Sequence, residues 1–261
     1  MSIPFNKYHG TGNEFIIIDN REGIINPLDS SFVNKICNRR LGIGADGLIL
    51  VCNHKKYDYE MIYYNADGFE GSMCGNGGRC AAAFALKHGI AGNSQEFLSS
   101  DGPHKAKVDG DIILLQMKDV PAPELVNNYY FIDTGSPHYI IPVPDVSKVN
   151  VNEKGKSLRW SDHFAPGGTN VNFVEYSDDG IKVRTFERGV EAETLSCGTG
   201  VTASAVSSRW GKSRGKQLVQ VSTNGGELIV EFYICDDKVK DISLKGPAHF
   251  VFSGIISAAI I

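Results

Sequence analysis

Short apolar runs cut by Gly, Asn, Asp and Pro recur along this 261-residue chain. Runs such as "EFIIID", "GLILVC", "YEMIYY", "IILLQM", "YIIPV", "NFVEY", "IKVRTF", "LVQVS" and "GELIVEFYI" predict strands bounded by turns. Three segments break that rhythm and predict helices: an amphipathic one near "SSFVNKICNRR", and one after each of Cys74 and Cys197. The latter two have no polar face. Ala81, Ala82, Ala83, Phe84, Ala85 and Leu86 leave no side for solvent, and Val201, Ala203, Ala205 and Val206 sit among small Ser and Thr. A helix of that kind is buried, here wrapped by strands of its own half. The Pro-interrupted "KDVPAPELVNN" reads as a linker, so the chain divides near residue 120 with one such helix in each half. The expected class is α+β: two similar lobes, each a mostly antiparallel sheet curled around a central helix.

The two helices begin alike. "MCGNGGRCAAAFALKHG" and "SCGTGVTASAVSSRWG" each set a cysteine before Gly-x-Gly, then small apolar residues, then a basic residue near a closing glycine. Gly89 lies fifteen residues after Cys74, and Gly211 fourteen after Cys197. Upstream, "MIYYNADG" and "VRTFERG" are both strand-like and end in polar turns, with Asn65 nine residues before its cysteine and Glu187 ten. "GTGNEFIIID" and "GGTNVNFVEY" are also alike. A duplicated unit accounts for all of this.

Composition narrows the partners. A net charge of −4 and pI near 6.0 argue against nucleic acid. The longest apolar stretches are too short to span a bilayer, and "MSIPFNKYHGTG" lacks the apolar region of a signal peptide. A cytoplasmic location is expected. In a reducing cytosol the six cysteines are free thiols, and neither C-x-x-C nor zinc spacing occurs, so no metal is expected. Cys37, Cys52, Cys80 and Cys235 read as small buried hydrophobes. "GIGADG" (Gly42 to Gly47) matches G-x-G-x-x-G in the wrong order, with a helix before it and a strand after. "WGKSRGK" lacks the first glycine of a P-loop, since Val206 stands there.

A helix N-terminus presents outward-facing N–H groups and about half a positive charge. A cysteine there has a lowered pKa, and the same N–H groups hold a carboxylate. Three readings follow: packing cysteines, a thiol oxidoreductase with a reversible Cys74–Cys197 disulfide, and a cofactor-free racemase or epimerase. The first leaves the duplication idle, and the second ordinarily uses a local C-x-x-C. In the third, one thiolate removes a Cα proton while the opposing thiol delivers one to the other face. That reading suits two symmetric thiols and needs no PLP or other cofactor.

The chain resembles the diaminopimelate epimerase family over nearly its whole length. The resemblance rests on "FNKYHGTGNEFIIID", "GIGADGLI", "YYNADG…MCGNGGRC", "GSPH", "GTNVNFVE", "RTFERG…ETLSCGTGVTASA" and "LKGPAHFVF". Proline and hydroxyproline racemases, the alternative, usually carry His where this chain has Asn76. The resemblance implies interconversion of LL- and meso-2,6-diaminopimelate without PLP, for lysine and peptidoglycan precursors, by a homodimer. It makes Cys74 and Cys197 the acid/base pair, and His138 and Glu187 the groups that tune them. It gives Gly75, Asn76, Gly198 and Thr199 the α-carboxylate, and assigns Asn13, Asn65, Asn170, Glu187 and Arg188 to the rest of the substrate. It places the site in the cleft between an N-terminal lobe, 1–118 with a returning strand at 250–261, and a C-terminal lobe, 119–249. Three departures stand out. Phe69 replaces a usual Ser after "NADG", "ERGVEAET" is one residue longer, and Ser136 and Gly47 stand where some members have Asn and Gln.

Overall fold

A computed structural model describes residues 2–25, 29–71 and 73–257. Residues 1, 26–28, 72 and 258–261 of the expected N-terminal lobe lie outside the described residues. The chain forms two compact units, Met1–Leu115 with Gly246–Ile261, and Gln116–Lys245.

The first unit runs β1 (Ile3–Gly10), β2 (Asn13–Asp19), α1 (Ser30–Cys37), β3 (Gly47–Cys52), β4 (Tyr59–Asn65), α2 (Gly75–Lys87), β5 (Ser94–Ser99), β6 (Gly102–Asp109) and β7 (Ile112–Gln116). Each helix is a crossover: α1 joins the parallel pair β2–β3, and α2 joins the parallel pair β4–β5. The other neighbours, β1–β2, β3–β4, β5–β6 and β6–β7, are antiparallel. This explains why "EFIIID" is solidly apolar rather than alternating. Ile16 and Ile18, with Leu48 and Leu50, pack with Phe32, Val33 and Ile36 of α1. Phe15, Ile49 and Met61, on the opposite face, pack against Gly77 of α2. A strand covered on both faces has no polar side.

The second unit repeats the plan with β8 (Val120–Pro121), β9 (Glu124–Val126), β10 (Tyr129–Asp133), β11 (Pro137–Pro142), α3 (Val151–Arg159), β12 (Asn170–Ser177), β13 (Gly180–Glu187), β14 (Ala192–Thr194), α4 (Gly198–Arg209), β15 (Gly215–Thr223), β16 (Gly226–Ile234) and β17 (Lys238–Pro247). Again the strands joined by helices, β11–β12 and β13–β15, are parallel, and β10–β11, β12–β13, β15–β16 and β16–β17 are antiparallel. The last strand, β18 (His249–Ile256), pairs antiparallel with β1. Both central helices are buried within their own units: α2 against β1, β2, β3, β4 and β6, and α4 against β10 to β13, β15 and β16.

The topology corrects part of the expected repeat. β2 corresponds to β11 and β3 to β12, so "GTGNEFIIID" matches "TGSPHYIIPV", while "GTNVNFVEY" matches "GADGLILV". Register fixes the equivalences. Phe15 opposes Gly47 as His138 opposes Asn170, and Gly47 opposes Asn65. The Val171–Phe186 pairing carries Asn170 to Glu187, the counterpart of Asn65. The expected linker is structured too, with β8 paired to β17 and β9 to β10. A fourth helix, α3, was not legible in the pattern. Its charged turns hide a narrow stripe of Val151, Gly155 and Leu158 that faces β12 to β14.

Candidate active site

Each cysteine is the N-cap of its helix in extended backbone, Cys74 at φ −101° and Cys197 at φ −117°, and neither side chain caps the helix it precedes. The first helical hydrogen bonds run from Gly78 N–H to the Cys74 carbonyl, and from Val201 N–H to the Cys197 carbonyl. The N–H groups of both first turns therefore point out of the helix end, beside a sulfur. Ser, Thr, Asp or Asn would ordinarily cap such a start; Cys leaves the anion site open.

In the first unit the Cys74 sulfur lies 3.6 Å from Asn13 Oδ1. Asn76 Nδ2 donates to the same oxygen (3.3 Å), and Asn13 Nδ2 donates to Asp46 Oδ2 at 2.7 Å. Asp46 belongs to "GIGADG", so that stretch braces a candidate site residue instead of cradling a nucleotide. It also accepts the Glu14 N–H and pairs with Arg39. Arg79, one turn into α2, is fully buried; it donates to Asn76 Oδ1 (3.0 Å) and Thr11 Oγ1 (3.3 Å). Asn65 ends β4 opposite Gly47. Gly47 has no room for any side chain, because a Cβ would meet the Tyr63 ring and the Tyr64 carbonyl at 2.4 Å each.

In the second unit His138 is fully buried, and burial, with the Arg188 charge second, pulls its pKa down to about 3. It is a neutral imidazole at any physiological pH. Asn172 Nδ2 lies 3.1 Å from His138 Nδ1 and also faces the Tyr139 carbonyl, which can only accept. Nδ1 is thus the acceptor and Nε2 carries the hydrogen, toward Thr199 Oγ1 at 2.9 Å. Thr199 Oγ1 in turn lies 3.4 Å from the Cys197 sulfur. Gly198 is buried at the first position of α4. Gly200 makes the approach possible: a Cβ there would stand 2.5 Å from Asn172 Oδ1.

Asn170 spends its side chain on the protein. Its amide donates to Ser136 Oγ and the Pro137 carbonyl at 2.8 Å each, and its oxygen accepts the Arg188 N–H at 2.8 Å. The Arg188 guanidinium is exposed, and Nη2 reaches Ser136 Oγ at 3.3 Å, so Ser136 steers both residues. Glu187 accepts a hydrogen bond from Thr194 Oγ1 at 2.8 Å. The turn of "ERGVEAET" is anchored by its own acid. Glu191, at φ 58°, binds Arg159 and the Trp160 indole, tying the turn to α3.

Asp46, Arg79 and Asn172 escaped the sequence reading. Arg79 left a trace, being the one charge inside a helix without a polar face. Asp46 was masked by the nucleotide-like glycines around it, and Asn172 looked like one more polar residue in a strand. Of the other cysteines, Cys37 and Cys80 are buried as expected, whereas Cys52 and Cys235 are only half-buried. Burial pushes the Cys37 thiol up to about 12, Cys80 further still, and Cys52 upward.

The fold is shared with solved structures of the phenazine-biosynthesis (PhzF) and proline racemase type. A PhzF-family phenazine biosynthesis protein from Bacillus anthracis superposes with TM-score 0.78 at 15% identity, covering 98% of this chain and 99% of that one. A hydroxyproline epimerase from Agrobacterium vitis superposes with TM-score 0.73 at 13% identity, covering 98% and 91%. The fold is α+β with two lobes.

Sequence is more particular. The diaminopimelate epimerase family model matches residues 5–121 and 130–251. Curated relatives bearing that name include those of Flavobacterium psychrophilum, 45% identical over 96% of this chain and 98% of its own, and Aquifex aeolicus, 40% identical over 99% of each. The chain belongs to the diaminopimelate epimerase family.

Proposed function

We propose that this protein interconverts LL- and meso-2,6-diaminopimelate without a cofactor, by proton transfer between Cα and the thiols of Cys74 and Cys197. The observation that carries the reading is the duplicated frame itself. Each unit begins one central helix with a cysteine whose side chain leaves the helix start uncapped. One sulfur, as thiolate, takes the Cα proton and becomes a thiol; the other, as thiol, gives its proton to the opposite face and becomes the thiolate. The two half-reactions exchange the protonation states, so the reverse reaction uses the same groups with roles swapped.

The helix-start N–H groups around Gly75, Asn76, Gly198 and Thr199 suit the α-carboxylate, whose charge grows as the Cα carbanion delocalises into it. The Arg188 guanidinium suits the distal carboxylate. Asn13, Asn65, Asn170 and Glu187 serve the ammonium groups, with Asn170 acting through Arg188 and Ser136. Two-base transfer needs one sulfur at each face of the substrate Cα, and exclusion of water would protect the carbanion.

We place the enzyme in the cytoplasm, and no helix among the described residues is long and apolar enough to cross a membrane. We also propose a homodimer. Phe250, Val251, Phe252 and Ile255 of β18 are each exposed, apolar area of the kind subunits cover; sedimentation of purified protein tests this.

The deciding experiment follows Cα deuterium uptake from D₂O with LL-diaminopimelate, proline and hydroxyproline, without PLP, on wild type, Cys74→Ala and Cys197→Ala. Uptake with diaminopimelate and meso product, lost in either variant, is the expected result. Uptake with proline alone would move the protein to the racemases.

A further inference from the structure

The first unit contains a hydrogen-bond chain with a charge at each end, and neither charged residue has a part in the reaction as set out above. Asp46 accepts from Asn13 Nδ2, Asn13 Oδ1 accepts from Asn76 Nδ2, and Asn76 Oδ1 accepts from Arg79 Nη2, at 2.7, 3.3 and 3.0 Å. An asparagine amide in isolation is nearly symmetric in shape and can present either its oxygen or its NH₂. Here it cannot. A carboxylate only accepts, so Asn13 must turn its NH₂ to Asp46; a guanidinium only donates, so Asn76 must turn its oxygen to Arg79. The two constraints agree, since Asn76 is left with NH₂ and Asn13 with oxygen where they meet.

Both ends are themselves anchored. Asp46 is held by the Glu14 N–H (2.9 Å) and by Arg39, which also pairs with Glu14. Arg79 is fully buried, and its partners are Thr11 Oγ1, Asn76 Oδ1 and the carbonyls of Gly75 and Pro247, all neutral. Space for its guanidinium comes from Gly10, where a Cβ would meet Nη2 at 3.3 Å and the Asn76 carbonyl at 3.0 Å. A buried cation without a carboxylate partner is costly, and a packing role alone would be met by Met or Leu. The titratable groups coupled to it are Cys80 and Cys74. Cys80 is a buried thiol that stays neutral. The corresponding position of α4, five residues after Cys197, holds the uncharged Thr202, which bonds Gly198 O of its own helix. The device belongs to one half of the duplication.

We propose that Asp46 and Arg79 are positioning residues, which together lock the Asn13 carbonyl oxygen toward the Cys74 sulfur and toward an ammonium group of the bound amino acid. The inference deepens the epimerase reading and rests on it for the identity of the ligand. An oxygen at that point accepts from –NH₃⁺ and repels –COO⁻, so the lock fixes which end of the zwitterion lies beside Cys74. A flipped Asn13 would offer NH₂ and lose that discrimination. Chains with one donor direction also strengthen each bond in turn.

The test has two independent arms. In wild-type protein labelled with ¹⁵N-asparagine, the Asn13 side-chain NH₂ pair is identified as the pair lost in Asn13→Ala. Its proton facing Asp46 is expected to exchange with water at least tenfold more slowly than that of an exposed asparagine. This arm needs no turnover, so it stands whether or not diaminopimelate is the substrate, and it needs no variant of Asp46 or Arg79 to fold. In the second arm, Arg79→Gln can present oxygen or NH₂ to Asn76 and is expected to raise KM for diaminopimelate tenfold or more, with a smaller change in kcat. Arg79→Lys, still donor-only, is expected to stay within about threefold of wild type. Free-amide exchange at Asn13, or a Lys variant no better than Gln, overturns the proposal.

Discussion

The imidazole Nε2 of His138 lies 2.9 Å from the Thr199 hydroxyl oxygen, and that oxygen lies 3.4 Å from the Cys197 sulfur. With hydrogen on Nε2, the imidazole donates and Thr199 accepts, which leaves the threonine O–H to point at sulfur. A donor at a sulfur favours thiolate. Beside Cys74 one polar neighbour is an acceptor, Asn13 Oδ1. The duplicated frame thus places a donor at one sulfur and an acceptor at the other.

Thr199→Val keeps the shape and removes the hydroxyl. The expected result is a lower thiolate fraction at Cys197 near neutral pH and a fall in kcat of about tenfold to a hundredfold, the range for losing one hydrogen bond to a charged group. Thr199→Ser should recover most of it. Alkylation of Cys197 followed by mass spectrometry, beside the kinetics, reads both.

His138 also makes stability depend on pH. Its native pKa of about 3 lies below the ordinary value of 6.5, so between those limits the unfolded chain binds a proton that the native protein refuses. Stability should therefore be unaffected by this group above pH 6.5 and should drop as pH falls toward 3, by at most roughly 4–5 kcal/mol at about 1.4 kcal/mol per pKa unit. Urea midpoints at pH 7, 6, 5 and 4 for wild type and His138→Asn check it; a slope that survives the substitution counts against the assignment.

Gly200→Ala should damage catalysis more than folding. Its Cβ would press on Asn172 Oδ1 at 2.5 Å and on His138 Cε1 at 3.2 Å, the two groups that orient Thr199. Overpacking of this kind costs about 1–3 kcal/mol. A melting curve a few degrees lower, with kcat reduced a hundredfold or more, is the expected pair of results.

Gly47→Ala should do the reverse. The new methyl meets the Tyr63 ring and the Tyr64 carbonyl, the latter fixed by β3–β4 pairing. The expected loss is again about 1–3 kcal/mol in chemical denaturation. Tyr63→Leu beside it should recover the part that comes from the ring, because only the carbonyl clash then remains.

The elements proposed to bear the chemistry were the most legible in the sequence. A helix without a polar face can only be central, and a cysteine before Gly-x-Gly can only be at its start, so α2, α4 and both thiols followed from local pattern. What escaped depends on pairing across the sheet. "GTGNEFIIID" looks like "GGTNVNFVEY" because both are turns into doubly covered strands; only the parallel register of β2 with β3 and β11 with β12 shows which repeat is which. Strand β18 gave no alternating signal because residues His249 to Ser253 are all exposed. Asp46 and Arg79 act on residues distant in sequence, and single-sequence reasoning has no access to such partners.

The pairing of β18 with β1 has a consequence for synthesis. Residues Ile3–Gly10 leave the ribosome long before their partner His249–Ile256, which emerges only after every residue of the second unit. Closing a contact across most of the chain is slow. The second unit, whose strands are contiguous in sequence, can therefore fold while the first still waits with an open flank for its final strand. The first unit is thus begun before the second and completed after it, and during that interval its open flank is exposed to aggregation and to chaperones.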